Sequence, residues 1–297
     1  MSSTAVAVGA GLGAAAAYGL ASAVQHDQVG QVEQTSPLNP GLLAALARRP
    51  VWLLGIVADG LAVALQAVAL RYGPVVLVQL LVVGGLPIAV VLSAAWARQR
   101  LQSRETLGLV LCTGGLALAV PASSTVNLGH PAGARLWTAV GLLVVMSVLA
   151  LVGLAHRDPG AAPLATGVAA GITAGASSVL LAICAARIGD PVALLRTVVP
   201  YATIALGLST LLLSQAAFQT GSIGTPLAAL SVTEPAVAVL LAVTALHEHL
   251  PTAVSARGAG ILGITGAVAG VLTLSAARDV AGASRDARRD GGVTKCR

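Results

Sequence analysis

The sequence predicts an all-α polytopic membrane protein, in which about nine transmembrane helices form an inverted repeat of two four-helix units flanking one linking helix. Of its 297 residues, 56% are hydrophobic and 9% are charged, whereas about a quarter of the residues in a soluble domain are charged. The mean hydropathy is +0.88. The apolar runs lack the alternation of a membrane β-barrel, so the spans are expected to be helices. In addition, one pattern of residues occurs twice along the chain.

The first unit, residues 1–122, is predicted to contain four spans, each close to the roughly 20 helical residues that cross the hydrocarbon layer. They are expected at 3–24, 51–70, 74–96 and 105–121. No basic segment precedes the first span, so we expect a retained helix rather than a cleaved signal. Asn39-Pro40 is predicted to start a short helix in the connector that follows.

A linking segment, residues 123–160, is predicted to carry one span, at 134–155. The second unit, residues 161–277, follows it. Its four spans are expected at 161–186, 198–218, 224–246 and 255–276. Asp190-Pro191 is predicted to start a helix, as Asn39-Pro40 does. Residues 278–297 are rich in Gly, Ser, Arg and Asp and are expected to form a disordered cytoplasmic tail.

The two units correspond position by position, with an offset that drifts only from 148 to 152 residues. The matched residues are Pro50, Gln66, Pro87, Leu101, Gly108 and Gly114 in the first unit, and Pro200, Gln215, Pro235, Leu250, Gly260 and Gly266 in the second. Because a single helix links two units of four spans, the second unit is expected to be upside down relative to the first. Inverted repeats of this kind are characteristic of transporters that work by alternating access.

The basic residues predict an orientation and exclude a nucleic-acid partner. Seven of the 17 Lys and Arg residues lie after position 256, and the others flank apolar runs as helix anchors do. With nine spans, twelve of the 17 fall on the side of the C-terminus. Positively charged loops stay in the cytoplasm, so the C-terminus is expected inside the cell membrane and the N-terminus outside. The abundance of Ala, Gly and Arg, with a single Lys, is typical of a GC-rich bacterial genome. We therefore expect the protein to lie in the inner membrane of a bacterium.

Enzyme and cofactor signatures are missing from the predicted spans. There is no glycine-rich phosphate loop, and Cys112, Cys184 and Cys296 lack metal-type spacing. His247 and His249 flank Glu248, but neighbouring helical residues diverge by about 100° and do not easily face one ion. We therefore expect no enzyme and no cofactor, and the sequence identifies no metal site.

Two carboxyl side chains, those of Asp59 and Glu234, lie inside predicted spans. A charged carboxylate at membrane depth costs several kcal/mol unless it is neutralised, paired or hydrated. No Lys or Arg lies within either span core, so protonation or cation binding is the expected way to hold them. Either of the two could instead be a structural carboxyl, and Glu234 directly precedes Pro235, whose ring removes a helix hydrogen bond there.

Uncharged polar residues supply the other site candidates. The repeat-related amides of Gln66 and Gln215 would either line a cavity between the units or bond across helices. Gln79, Tyr18 and Thr233 are further candidates for the cavity lining. Glycines at every fourth position, such as Gly171 and Gly175, are predicted to form close helix contacts rather than a pore.

Two hairpins of the sequence resemble a known family. The string PLAALSVTEPAVAVLLAVTALHEHL, followed by GAGILGITGAVAGVL, is similar to the closing hairpin of the drug/metabolite transporter superfamily. The string AVALRYGPVVLVQLLVVGGLPIAVVLSAAWARQRL resembles the same motif in the first unit. Trp52, Gly55 and the Tyr-Gly-Pro-x-x-Leu-Val turn at 72–78 are similar to its magnesium-transporter-like branch, which implies an acidic residue and an Asn near Gln66. This chain has Asp59 and no Asn there.

The sequence therefore predicts a secondary transporter of a small molecule or ion, coupled to protons or cations through Glu234, with the lipid bilayer as its surroundings. Divalent-cation transport, with Asp59 and Glu234 attracting a hydrated ion, is one alternative. A membrane scaffold that moves no solute is an alternative of a different class. The sequence also leaves a homodimer open.

Overall fold

The computed structural model describes residues 3–29, 46–96, 98, 101–122, 133, 137–138, 140–145, 147, 162–218, 224–248, 255, 258–273 and 276. Helices account for nearly all of these residues, and no strand occurs among them, which confirms the predicted all-α class. Within the same residues, five helices are long and apolar enough to cross a membrane. The chain is thus a helical membrane protein.

The helices of the first unit are α1 (Ser3–Val29), α2 (Pro50–Tyr72), α3 (Val75–Val83), α4 (Gly85–Trp96) and α5 (Ser103–Ala122). Those of the second unit are α6 (Ala162–Ala186), α7 (Pro191–Leu195), α8 (Val199–Phe218), α9 (Gly224–Ala245) and α10 (Gly258–Thr273). Residues 140–145 are helical, but most of the predicted linking span lies outside the described residues, as do Asn39-Pro40 and the tail.

The predicted helix start at Asp190-Pro191 is confirmed. The Asp190 carboxylate accepts a hydrogen bond from the Ala193 backbone N–H at 3.0 Å, and Pro191 occupies the first turn of α7. A side-chain acceptor at this position satisfies one of the donors that a helix leaves free at its beginning.

The predicted third span, 74–96, is confirmed as an apolar helical stretch, Val75–Trp96, that is long enough to cross a membrane, but it is interrupted at Gly84, where α3 ends at Val83 and α4 begins at Gly85. Pro87 explains the break, since its ring has no N–H to give to Val83 and clashes with that carbonyl group. Pro235 behaves differently. It lies inside α9, which continues to Ala245, so the proline costs that helix a hydrogen bond without ending it.

Helices pair in the same way in both units. In the first unit α1 packs on α2 and against the α3–α4 pair, and in the second α6 packs on α8 and α9. The units meet where α9 packs on α3, where α2 packs on α6, and where α5 packs on α10. Both α3–α9 and α5–α10 are antiparallel pairs, as their residue contacts show.

Glycines set the closest approaches between helices. A Cβ at Gly175 of α6 would lie 2.5 Å from the backbone oxygen of Glu234 in α9, and a Cβ at Gly263 of α10 would lie 2.6 Å from that of Gly115 in α5. The predicted glycine packing is confirmed at Gly171 and Gly175. A Cβ at Gly9 of α1, by contrast, would have open space around it.

The larger apolar core lies at one end of the bundle. It brings together the end of α2, the start of α3, the ends of α6 and α9, and the start of α8. Its buried members include Leu70, Val75, Ile183, Val199 and Leu246. Both units contribute to it, so at this end they are joined by a continuous apolar contact.

Candidate functional site

Asp59 and Glu234 lie near the middle of α2 and α9, away from the ends of both helices. Both are only partly exposed. Each carboxyl group is hydrogen-bonded by an uncharged side chain, Gln25 for Asp59 and Ser178 for Glu234. The two predicted acidic sites are therefore held by neutral donors in the middle of their helices.

A first chain of hydrogen bonds ends at Glu234. The Tyr18 hydroxyl donates to Oε1 of Gln66 at 2.8 Å, and Nε2 of Gln66 donates to Oγ of Ser178 at 3.2 Å. The Ser178 hydroxyl in turn hydrogen-bonds the Glu234 carboxyl. Each donor in this chain points toward the carboxyl group.

A second chain ends at Asp59. Nε2 of Gln215 donates to Oε1 of Gln25 at 2.6 Å. Nε2 of Gln25 donates to Oδ2 of Asp59 at 2.5 Å. Here too the donors point toward the carboxyl group. Gln25 and Gln215 are buried, so water competes little with the bond between them, whereas the bond from Gln25 to Asp59 is partly buried.

Both chains cross between the two units, and they do so in opposite directions. Gln66, in the first unit, reaches Ser178 in the second unit. Gln215, the residue that matches Gln66 in the repeat, reaches Gln25 in the first unit. Of the two roles that the sequence left open for this pair, the structure shows bonding across helices. Each carboxyl group is thus connected to a glutamine of the other unit.

The two chains form adjacent layers of one polar stripe. Tyr18 and Gln25 are seven residues apart on α1, and Gln66 and Asp59 are seven residues apart on the antiparallel helix α2. Seven residues are about two helical turns, or roughly 10 Å, so each pair lies on one face of its helix. Tyr18 is close enough to Glu234 and Asp59 to be influenced by the charge of both.

The glycines of α6 bring Glu234 to this stripe. Without side chains at Gly171 and Gly175, α6 approaches the backbone of α9 at Thr233 and Glu234 within van der Waals distance. Ser178 follows Gly175 by three residues and lies on nearly the same helix face. The close contact therefore places the Ser178 hydroxyl within reach of the Glu234 carboxyl.

The other two sequence candidates lie outside the chains. Gln79 of α3 is 1% exposed, and neither of its amide atoms has a hydrogen-bond partner within the described part of the chain. Thr233 packs against Gly171. Neither residue is joined to Asp59 or Glu234 through the hydrogen bonds described above.

Sequence reasoning missed Gln25 and Ser178, which connect the glutamine pair to the carboxyl groups. Gln25 follows the predicted first span and reads as part of the polar connector, whereas α1 continues through it to Val29. Ser178 lies in a run of small residues that reads as helix packing. A signal for Gln25 was its seven-residue spacing from Tyr18, which places both on one helix face.

A surface cavity of about 490 Å³ lies away from the two hydrogen-bond chains, beside the C-terminal end of α6 and the start of α8. Its lining includes Trp137, Arg187 and Thr197. None of the candidate residues lines it. In the described part of the chain, no group of three or more His, Cys, Asp or Glu side chains is arranged to hold a metal ion.

In comparisons with known proteins, no family model, curated protein or solved structure matches this chain.

Proposed function

We propose that this protein is a secondary transporter that moves a small solute by alternating access, with Glu234 as the coupling carboxyl and Asp59 as a second acidic site. One observation carries the proposal: both carboxyl groups, near the middle of α2 and α9, end hydrogen-bond chains that cross between the units. Alternating access requires the units to move against each other. Such movement has to break or remake these bonds, so the state of each carboxyl and the arrangement of the units are linked.

The direction of the donors explains how a proton would change that arrangement. A carboxylate only accepts hydrogen bonds, whereas a protonated carboxyl also donates one. The Ser178 hydroxyl donates to Glu234 in its carboxylate form; when Glu234 carries a proton, Ser178 can accept from it and turn its own hydrogen elsewhere. Ser178 is also the acceptor for Gln66, so proton binding alters the bond between the units.

The same donors favour a proton over a metal ion as the coupling species. Asp59 faces an amide N–H group of Gln25, and Glu234 faces a hydroxyl that donates to it. Hard cations such as Mg²⁺ are held by oxygen ligands, and an N–H group offers none. This argument favours proton coupling over the magnesium alternative.

The inverted repeat of nine helices belongs to the same proposal. Helices α3 and α9 are matched by the repeat, and so are α5 and α10, and each pair packs antiparallel. Antiparallel packing of matched helices is what a two-fold axis in the membrane plane produces. The resemblance to the drug/metabolite transporter superfamily, and the inner-membrane location with a cytoplasmic C-terminus, rest on the sequence alone.

Purified protein in proteoliposomes tests the function. We would impose a pH gradient and follow the uptake of radiolabelled amino acids, sugars, organic amines and Mg²⁺, for the wild type and for Glu234→Gln. We expect the wild type to move at least one solute in response to the gradient, and Glu234→Gln to lose that response. Glu105→Gln is the control, because Glu105 lies in the first turn of α5 and its carboxylate accepts a hydrogen bond from the Gln102 backbone N–H of its own segment.

Normal gradient-driven uptake by Glu234→Gln would refute the assignment of that residue. If the wild type moved none of these solutes, the scaffold alternative would be favoured.

A further inference from the structure

Glu248 makes a contact between the units that lies outside the polar stripe. It follows α9, and its carboxylate accepts hydrogen bonds from the backbone N–H groups of Val75 at 2.8 Å and Val76 at 3.3 Å. These are donors of the first turn of α3, in the other unit. A helix leaves its first N–H groups without partners inside the helix, and a carboxylate is their most favourable acceptor.

The backbone before Glu248 is shaped to aim it at α3. His247 has φ of 55°, a left-handed conformation that costs a side chain other than glycine on the order of 1 kcal/mol. The Glu248 N–H donates to the Ala242 carbonyl oxygen at 3.0 Å, which holds the turn against the end of α9. Backbone strain of this kind persists where the surrounding structure requires it, and switch regions are among its common places.

We propose that Glu248 is a latch that holds the two units together at one face of the protein and must release α3 before that face opens. This inference rests on the proposed alternating access and identifies the contact that controls one of its two gates. The latch lies directly above the larger apolar core, in which Val75 and Leu246 take part. By the distribution of basic residues, this face is the external one.

The latch is able to open because its closed form carries a cost. Glu248 is 6% exposed. Burial raises the pKa of its carboxyl group, and the hydrogen bonds from Val75 and Val76 only partly oppose that effect. Opening returns the carboxylate to water and relieves the strain at His247, so much of the energy of the two hydrogen bonds is offset.

The repeat offers no second latch of this kind at the opposite face. The segment ARQRLQSR of the first unit matches HEHLPTAVSAR of the second, and with Leu101 matched to Leu250 the position of Glu248 is taken by Gln99, an uncharged amide between two arginines. A glutamine has one uncharged acceptor oxygen where a carboxylate has two charged ones, so it is the weaker partner for the first turn of a helix. The two gates are therefore expected to differ, with a carboxylate latch on one side only.

Access of a water-soluble maleimide to a buried cysteine tests the latch. The reporter is Val78→Cys, one turn inside α3 and 0% exposed, in protein carrying Cys112→Ala, Cys184→Ala and Cys296→Ser. Glu248→Ala removes both acceptors and should speed labelling about tenfold, the effect of losing one charged hydrogen bond. Glu248→Gln keeps one acceptor oxygen and should fall between Glu248→Ala and the wild type.

Glu105→Ala is the matched control, because it also removes a carboxylate from the first turn of a helix but leaves the contact between the units intact. Unchanged labelling in a folded Glu248→Ala protein, or an equal rise in Glu105→Ala, would overturn the latch. Hydrogen exchange on the unsubstituted protein is a second test, which needs no variant. The Val75 and Val76 amides should be protected, and exchange at the unprotected rate would also overturn it.

These measurements separate the latch from the proposed function, because neither requires solute movement. If Glu248→Ala sped labelling but Glu234→Gln left uptake unchanged, the latch would be supported and the coupling role of Glu234 rejected. If Glu234→Gln abolished the response of uptake but Glu248→Ala left labelling unchanged, the coupling role would be supported and the latch rejected.

Discussion

Two neighbouring glycines in α5 should respond to the same substitution with opposite signs. A Cβ at Gly114 would meet no atom within 4 Å, whereas a Cβ at Gly115 would lie 2.5 Å from the Gly263 backbone oxygen and 2.9 Å from the Gly266 carbonyl carbon in α10. Replacing glycine by alanine inside a helix gains about 1 kcal/mol of helix propensity. We expect Gly114→Ala to keep most of that gain.

At Gly115 the same gain is opposed by overpacking, which costs about 1–3 kcal/mol, here at the upper end because the contacted atoms are backbone and cannot rotate away. The net difference between the two variants is then about 2–3 kcal/mol in the free energy of unfolding. At about 2 °C per kcal/mol for a chain of this size, Gly115→Ala should melt roughly 5 °C below Gly114→Ala.

The assay is thermal unfolding of the purified variants in one detergent, followed by the fluorescence of a thiol-reactive dye or by loss of the monodisperse peak. If the two variants melted at the same temperature, or if Gly114→Ala were the less stable one, α5 and α10 would not be packed in the way described here.

Further expectations concern the polar stripe and the latch. Gln66→Leu leaves the Tyr18 and Ser178 hydroxyls without this partner and should lower the free energy of unfolding by about 1–3 kcal/mol, measured by thermal melting; equal stability would show that the bonds are unimportant. Ser178→Ala should weaken gradient-driven uptake in proteoliposomes and shift the pH profile of that uptake. Ser178→Thr keeps the hydroxyl and should retain the wild-type uptake and profile. If Ser178→Ala had the same pH profile as the wild type, a positioning role for Ser178 would be excluded. Magnesium should raise the melting temperature of the wild type no more than that of Asp59→Asn, and a selective rise in the wild type would revive the cation alternative. Burial raises the pKa of Glu248 in the folded protein. The stability that this group contributes should therefore be complete below its ordinary pKa and decline as pH rises through the raised value. Glu248→Gln should remove this part of the stability–pH curve, and an unchanged curve would contradict the expectation.

The sequence predicted the helices well because their signal is local. Apolar runs, prolines and the Asp190 cap act within a few residues, and the corresponding helices begin and end close to the expected positions. The break at Gly84 was missed because its cause, Pro87, resembles Pro235 in sequence. Only the surroundings decide whether a proline ends a helix.

The candidate site was predictable in its members but not in its connections. Asp59, Glu234, Gln66 and Gln215 stand out because polar residues are rare in apolar spans. Their partners Gln25 and Ser178 lie 34 and 56 residues away from the carboxyl groups that they contact. Nothing in one sequence marks such pairs, since they are created by the packing of helices that are far apart in the chain. Glu248 was noticed only as part of a metal-like string, because the backbone N–H groups that donate to it lie 173 and 172 residues away.

The exchanged glutamines also have a consequence for how the protein is made. When the ribosome has released only the first unit, Gln66 has no Ser178 to bond, Gln25 has no Gln215, and the α3 backbone has no Glu248. Each of these groups would then stand unpaired against lipid, at a cost that only the second unit removes. The first unit is therefore expected to be a poor folding intermediate that insertion chaperones must hold. The two units, expressed as separate polypeptides, should accumulate only when both are present in the same cell.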